Sequence, residues 1–146
     1  MIISRLARPL IAAIFIVGGI DTLRNPDAKV KQVEPFLTRT VGGVAESLPE
    51  QVPTDPATLV RLDAAVKVGA GVALALGKFP RLAAFALAVG LVPTSLAAHA
   101  FWEHEDPQAR AAQKFQFLKN AGLLGGLLLV VTEPRRKKDK KDKKAA

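Results

Sequence analysis

Where the charges fall along four long apolar stretches limits this chain more than any other feature. The stretches occupy residues 9–23, 56–77, 80–101 and 107–132. Crossing the hydrocarbon of a bilayer takes about 20 residues of helix. The last three meet that length, and the first approaches it once Leu6 and Ala7 are included. The second stretch, RLDAAVKVGAGVALALG at 61–77, carries Arg61, Asp63 and Lys67 in its first half and no charge in its second. The fourth repeats this pattern: Gln113, Lys114, Gln116, Lys119 and Asn120 precede the purely apolar run 121–131. Asp21 and Arg24 close the first stretch, and His99 lies at the end of the third.

Composition is consistent with a membrane protein once its extremes are separated. The chain has 146 residues, 49% apolar, with a mean hydropathy of only +0.21. The tail RRKKDKKDKK at 135–144 supplies six of the eight net positive charges, so the body is nearly neutral. This basicity belongs to a lipid-facing tail and gives no reason to expect nucleic acid as a partner. With no cysteine, the chain holds no disulfide, thiol nucleophile or thiolate metal site. Arg5 and Arg8 before an apolar run also suit a signal peptide, but the run passes into Gly18-Gly19-Ile20-Asp21 without a small-x-small cleavage site.

Charge sorting gives the topology. With four spans and a cytoplasmic tail, Arg5, Arg8, Lys78 and Arg81 are all inside. Residues 25–57 are then outside with five acids against three bases, and 102–112 with three against one. Every loop obeys the positive-inside rule. The expected fold is therefore an all-α membrane protein: four transmembrane helices in one bundle, at about 6–24, 56–77, 80–101 and 110–132. Residues 1–132 form the membrane domain and 133–146 a disordered polybasic cytoplasmic tail that binds anionic lipid. Asn25-Pro26, Asp55-Pro56 and Asp106-Pro107 each read as an N-cap followed by a proline at the first helical position. Within the extracytoplasmic loop 25–55, Val30, Val33, Leu37, Val41, Val44 and Leu48 recur at helical spacing, interrupted by Pro35 and Gly42-Gly43. That predicts an amphipathic segment of one or two short helices, with a loosely ordered loop as the alternative.

This topology gathers the polar groups of all four spans into one outer layer. Asp63 and Lys67 are four apart, acid first, and suit an ion pair on one helix face. Gln116, Lys119 and Asn120 share a face that continues through Gly122 and Gly126, a small-residue spacing that marks a helix contact. Asp21 continues a stripe through Gly18. Two acids, Asp21 and Asp63, would then balance two bases, Lys67 and Lys119. An intramembrane charge costs about 2.5 to 3.5 kcal/mol at mid-bilayer, which makes mutual pairing economical. The candidate site is Asp21, Asp63, Lys67, His99, Gln116, Lys119 and Asn120, opening outward; the alternative is an ion-pair network that only fixes helix order. His99 and His104, five apart, do not match a metal-ligand spacing, so no metal is expected. Phe101 and Trp102 suit the membrane interface, and Pro93 should kink the third span near Thr94 and Ser95.

PLIAAIFIVGGIDTL at 9–23 and HAFWEHEDPQARAAQKFQFLKNAGLLGGLLLV at 99–130 resemble the DoxX family of small bacterial membrane proteins, particularly its actinobacterial members. The likeness covers nearly the whole chain from Arg5 to Val131, and its most specific part is the block from His99 through Phe117-Leu118-Lys119-Asn120 to Gly125-Gly126. The resemblance implies a four-helix multi-pass protein of the bacterial plasma membrane. It also implies an association with redox chemistry, through quinone reduction and membrane complexes that handle thiols and reactive oxygen. The chain has no self-contained catalytic motif of its own. It is therefore expected to be a redox-linked accessory subunit beside redox enzyme partners, its polar site open to a quinone or another amphiphile. The alternative is a non-catalytic scaffold or lipid-handling protein.

Overall fold

The structure, a computed structural model, describes residues 2–43, 47, 49 and 53–133. The polybasic tail beyond residue 133, and with it the expectation of disorder there, lies outside the described residues, as does most of 44–52. Every regular element described is helical: α1 (Ile2–Arg24), α2 (Pro26–Val41), α3 (Pro56–Ala75), α4 (Pro80–Ala98) and α5 (Pro107–Thr132), with a 3-10 turn at Phe101–Glu103.

The Asp-Pro starts work as their residue types require. Asp55 accepts hydrogen bonds from the backbone N–H and hydroxyl of Thr58, each at 2.9 Å. Asp106 accepts from the N–H of Ala109 at 2.8 Å. These caps satisfy N–H groups that an open helix end leaves without partners. Asn25 departs from expectation and makes no side-chain cap. Its own N–H still donates to the Asp21 carbonyl at 3.0 Å, so the residue completes α1 and cannot adopt the extended geometry of a cap for α2. Over Pro26–Val41 one helix runs through Pro35, while Val44 and Leu48 of the expected pattern lie outside the described residues. Val33 and Leu37 pack on either side of that proline, against Val60 and Ala98, and tertiary contact offsets the lost backbone bond.

Between α3 and α4 the chain reverses on Gly77. Its φ of 67° is left-handed, and the Lys78 N–H returns to the Ala73 carbonyl at 2.8 Å. This helix stop relies on the freedom of glycine.

The long helices alternate in direction. A Cβ on Gly19 of α1 would lie 2.8 Å from the Ala64 carbonyl oxygen, and one on Gly71 of α3 would lie 2.7 Å from Ile16 Cγ1. Residues early in α1 therefore meet residues late in α3, and the helix backbones approach closely. A Cβ on Gly122 would meet open space, while one on Gly126 would lie 3.3 Å from Ile11 Cδ1. The tightest small-residue seam is thus α1 against α3, and the Gly122–Gly126 stripe of α5 forms it only in part. At the end of the bundle near Arg8, Glu133 joins three helices: its carboxylate is 2.5 Å from the Arg8 guanidinium, and its carbonyl accepts from Arg81.

Two apolar clusters flank a polar layer. Ala12, Phe15, Leu74, Leu87, Leu91 and Leu127 belong to the larger one, and Val33, Val60 and Ala98 form the smaller. Along α3 and α4 the stretches between these clusters include the polar residues Asp63, Lys67, Thr94 and Ser95. The outer surface is apolar too: Leu10, Phe115 and Leu129 are 75%, 69% and 73% exposed. Among the described residues three helical stretches are long and apolar enough to cross a membrane, namely Leu6–Arg24, Pro80–Glu103 and Pro107–Thr132. The remaining long helix, α3, has 20 residues, too few to leave a long stretch clear of Arg61, Asp63 and Lys67.

Candidate functional site

The polar layer is built around Lys67. Its ammonium donates to Asp63 Oδ2 at 2.5 Å and to Thr94 Oγ1 at 3.1 Å, while the Thr94 hydroxyl donates to the Gly90 carbonyl at 2.7 Å. The i, i+4 spacing aligns acid and base on α3, and the small size of Gly90 lets α4 come close. A Cβ there would stand 3.1 Å from Asp63 Oδ1. The Lys67 side chain is 14% exposed and that of Asp63 34%, so the pair is largely but not wholly withdrawn from solvent.

Beside this pair a second set of bonds ties α4 to α5. Asn120 donates to Ser95 Oγ at 3.0 Å, and the Ser95 hydroxyl donates to the Leu91 carbonyl at 2.7 Å; both side chains are buried. His99 Nδ1 lies 2.7 Å from Gln113 Oε1, with an N–H donating to that oxygen. The ring is thereby oriented. Phe101, Trp102 and Phe117 stack edge to face just beyond it, with centroids 5.1 to 6.0 Å apart.

Two hollows adjoin the layer. A polar cavity of about 170 Å³ has Lys29, Lys67, His99, Lys119 and Asn120 in its wall, together with Thr94. An apolar groove of about 260 Å³ runs between α2 and the α3–α4 pair, lined by Val33, Phe36, Leu37, Leu59 and Val60, with Asp63 at its edge. Lys29 and Thr94 line both. The two hollows are therefore neighbours on either side of these two side chains.

Of the residues expected at the site, Lys67, His99, Lys119 and Asn120 share the cavity wall. Asp63 faces the groove instead. Gln116 holds the Lys119 ammonium at 2.5 Å without lining the cavity. Asp21 is exposed and makes no ion pair among the described residues, so the expected balance of Asp21 against Lys119 is absent. The sequence reading missed Lys29. It stands four residues before Val33 and eight before Leu37, on the apolar face of α2, and that spacing was the available signal. Burial lowers the pKa of its ammonium, and the Lys67 charge lowers it further; Asp63 opposes this and Lys119 adds to it. Among the described residues no three histidine or acidic side chains converge as a metal site requires.

Ammonium and imidazole groups converging in one hollow can donate hydrogen bonds to a carbonyl or an anion. A bundle that turns Leu10, Phe115 and Leu129 outward around a polar layer is the build of a multi-pass helical membrane protein. The DoxX family model matches residues 4–100, and the chain belongs to that family. The match ends before α5, so the block from His99 to Gly126, which weighed most in the sequence resemblance, falls almost wholly outside it. No curated protein and no solved structure matches the chain.

Proposed function

We propose that this DoxX-family protein is a redox-linked accessory subunit of the bacterial plasma membrane whose polar cavity binds a quinone or another amphiphile between the helices. One observation carries the reading: helices α2 to α5 bring Lys29, Lys67, His99 and Lys119 to a single hollow inside an otherwise apolar bundle. Intramembrane ionisable groups are costly, and convergence on a cavity is how such groups serve a ligand. Ammonium and imidazole N–H groups suit the carbonyl oxygens of a quinone head, and the adjoining apolar groove suits its chain.

In this reading α3 is a fourth span. It lies antiparallel to α1 along the seam from Gly19 to Gly71 and so occupies the same slab; the Asp63–Lys67 pair neutralises two of its three charges, and Arg61 reaches to the outer interface. Both termini are then cytoplasmic, residues 1–132 form the membrane domain, and the tail from 133 to 146 lies against anionic lipid. Gentle purification from native membrane, with mass spectrometry of co-purifying proteins and quinones, tests the assignment. Recovery with a thiol- or peroxide-handling enzyme, or with bound quinone, supports it. Recovery with bulk lipid alone contradicts it.

A second reading, the scaffold, rests on the completeness of two bond sets. Asp63, Lys67 and Thr94 satisfy one another, as do Ser95 and Asn120. A network of this kind can fix helix register without serving a ligand.

A further inference from the structure

The wall of the polar cavity holds three lysines and a histidine and no carboxylate. The lysines differ in their partners. Lys67 is matched by Asp63, whereas Lys29 donates to the neutral amide of Gln32 at 3.1 Å and Lys119 to that of Gln116. Neither Lys29 nor Lys119 has an ion-pair partner among the described residues. Lys29 and the exposed Lys119 thus stand in one wall with no carboxylate bonded to either, Asp63 acting on Lys29 only from a distance, and that excess of positive charge favours a bound anion. The apolar groove is its neighbour, because Lys29 and Thr94 belong to both walls.

We propose that the cavity is the head-group site for a single-chain anionic amphiphile. Its carboxylate or phosphate monoester sits among Lys29, Lys67 and Lys119, and its hydrocarbon chain lies along Val33, Phe36, Leu37, Leu59 and Val60. The inference rests on reading the cavity as a ligand site and adds the charge and shape of the ligand. Charge complementarity selects this occupant over a neutral one. The lowered pKa of Lys29 is consistent with it, since part of that shift comes from Lys67 and Lys119, repulsion that an anion would relieve.

Equilibrium binding to the full-length chain in neutral phosphatidylcholine nanodiscs tests this, with oleate, lysophosphatidate, oleyl alcohol and inorganic phosphate as probes. A hydrogen bond to a charged group corresponds to about a tenfold change in affinity or more. Oleate and lysophosphatidate should each saturate one site, with oleyl alcohol at least roughly tenfold weaker than oleate and inorganic phosphate at least roughly tenfold weaker than lysophosphatidate. The double variant Lys29→Gln/Lys119→Gln should lose about tenfold or more for both anionic amphiphiles and leave oleyl alcohol unchanged. Lys29→Arg/Lys119→Arg should retain binding. The basic tail is present in all these proteins, so any binding to it cancels between variants, and a helical circular-dichroism spectrum checks that each variant is folded. Equal affinity for oleate and oleyl alcohol, undiminished oleate binding by the glutamine variant, or phosphate binding as tight as lysophosphatidate would each overturn the proposal. A short-chain quinone that binds while the anions do not would overturn it and leave the ligand-site reading standing. Binding of none of these probes would overturn both.

Discussion

Asp63 and Lys67 make the sharpest prediction at the scale of single residues. Lys67→Met leaves the Asp63 carboxylate without its cation in a place that is only 34% exposed. Unpairing a fully buried ion pair costs about 3 to 5 kcal/mol. Because Asp63 keeps some solvent, roughly 2 to 3 kcal/mol is expected, read as a lower midpoint in detergent melts. Asp63→Leu combined with Lys67→Met should recover most of that loss, since replacing both partners by apolar groups is close to neutral. Unchanged stability of the single variant would mean that the pair is solvated. The pair was legible from spacing and acid-first order alone. Lys29 was not recognised, because a lysine in a stretch read as a surface segment looks solvated until α2 is laid against α3. The misjudged pairing of Asp21 has a similar cause: helical periodicity assigns a face but not the rotation that directs it inward.

Among the elements, α3 organises the bundle, and its ends and seams are where it can be tested. Its start is capped by Asp55, whose carboxyl is held below its ordinary pKa chiefly by the hydrogen bond from the Thr58 N–H, then by the Thr58 hydroxyl. A carboxyl with a lowered folded pKa adds stability that is fully present above its ordinary value and lost as pH falls through the lowered one. Amide exchange in the first turn of α3 should therefore quicken as pH drops through that range, after correction for intrinsic rates. Asp55→Ala should show the faster exchange at all pH values. The seam with α1 gives a second test. Gly19→Ala places a methyl against the Ala64 carbonyl, which is backbone and cannot swing aside. Overpacking of that kind costs about 1 to 3 kcal/mol, whereas Gly122→Ala, with open space around it, should be nearly silent in the same melt. The helices themselves were legible to within a few residues, because Asp-Pro starts and apolar length are local signals. Which glycines form the seam was not, since that depends on how close two helices come.

At the scale of the whole molecule, the proposed topology has one apolar bundle carrying a cation-lined cavity open to the outer side, with its basic loops inside. The chain has no cysteine, so single cysteines can be introduced on a silent background. Lys119→Cys places a thiol on the cavity wall, and Lys78→Cys places one on the turn between α3 and α4. The decisive measurement is labelling of these two variants by a membrane-impermeant maleimide added to intact cells, then to lysed ones. With the proposed topology the thiol at 119 reacts in intact cells and the thiol at 78 reacts only after lysis. Labelling at 78 in intact cells, with the thiol at 119 protected until lysis, would contradict it.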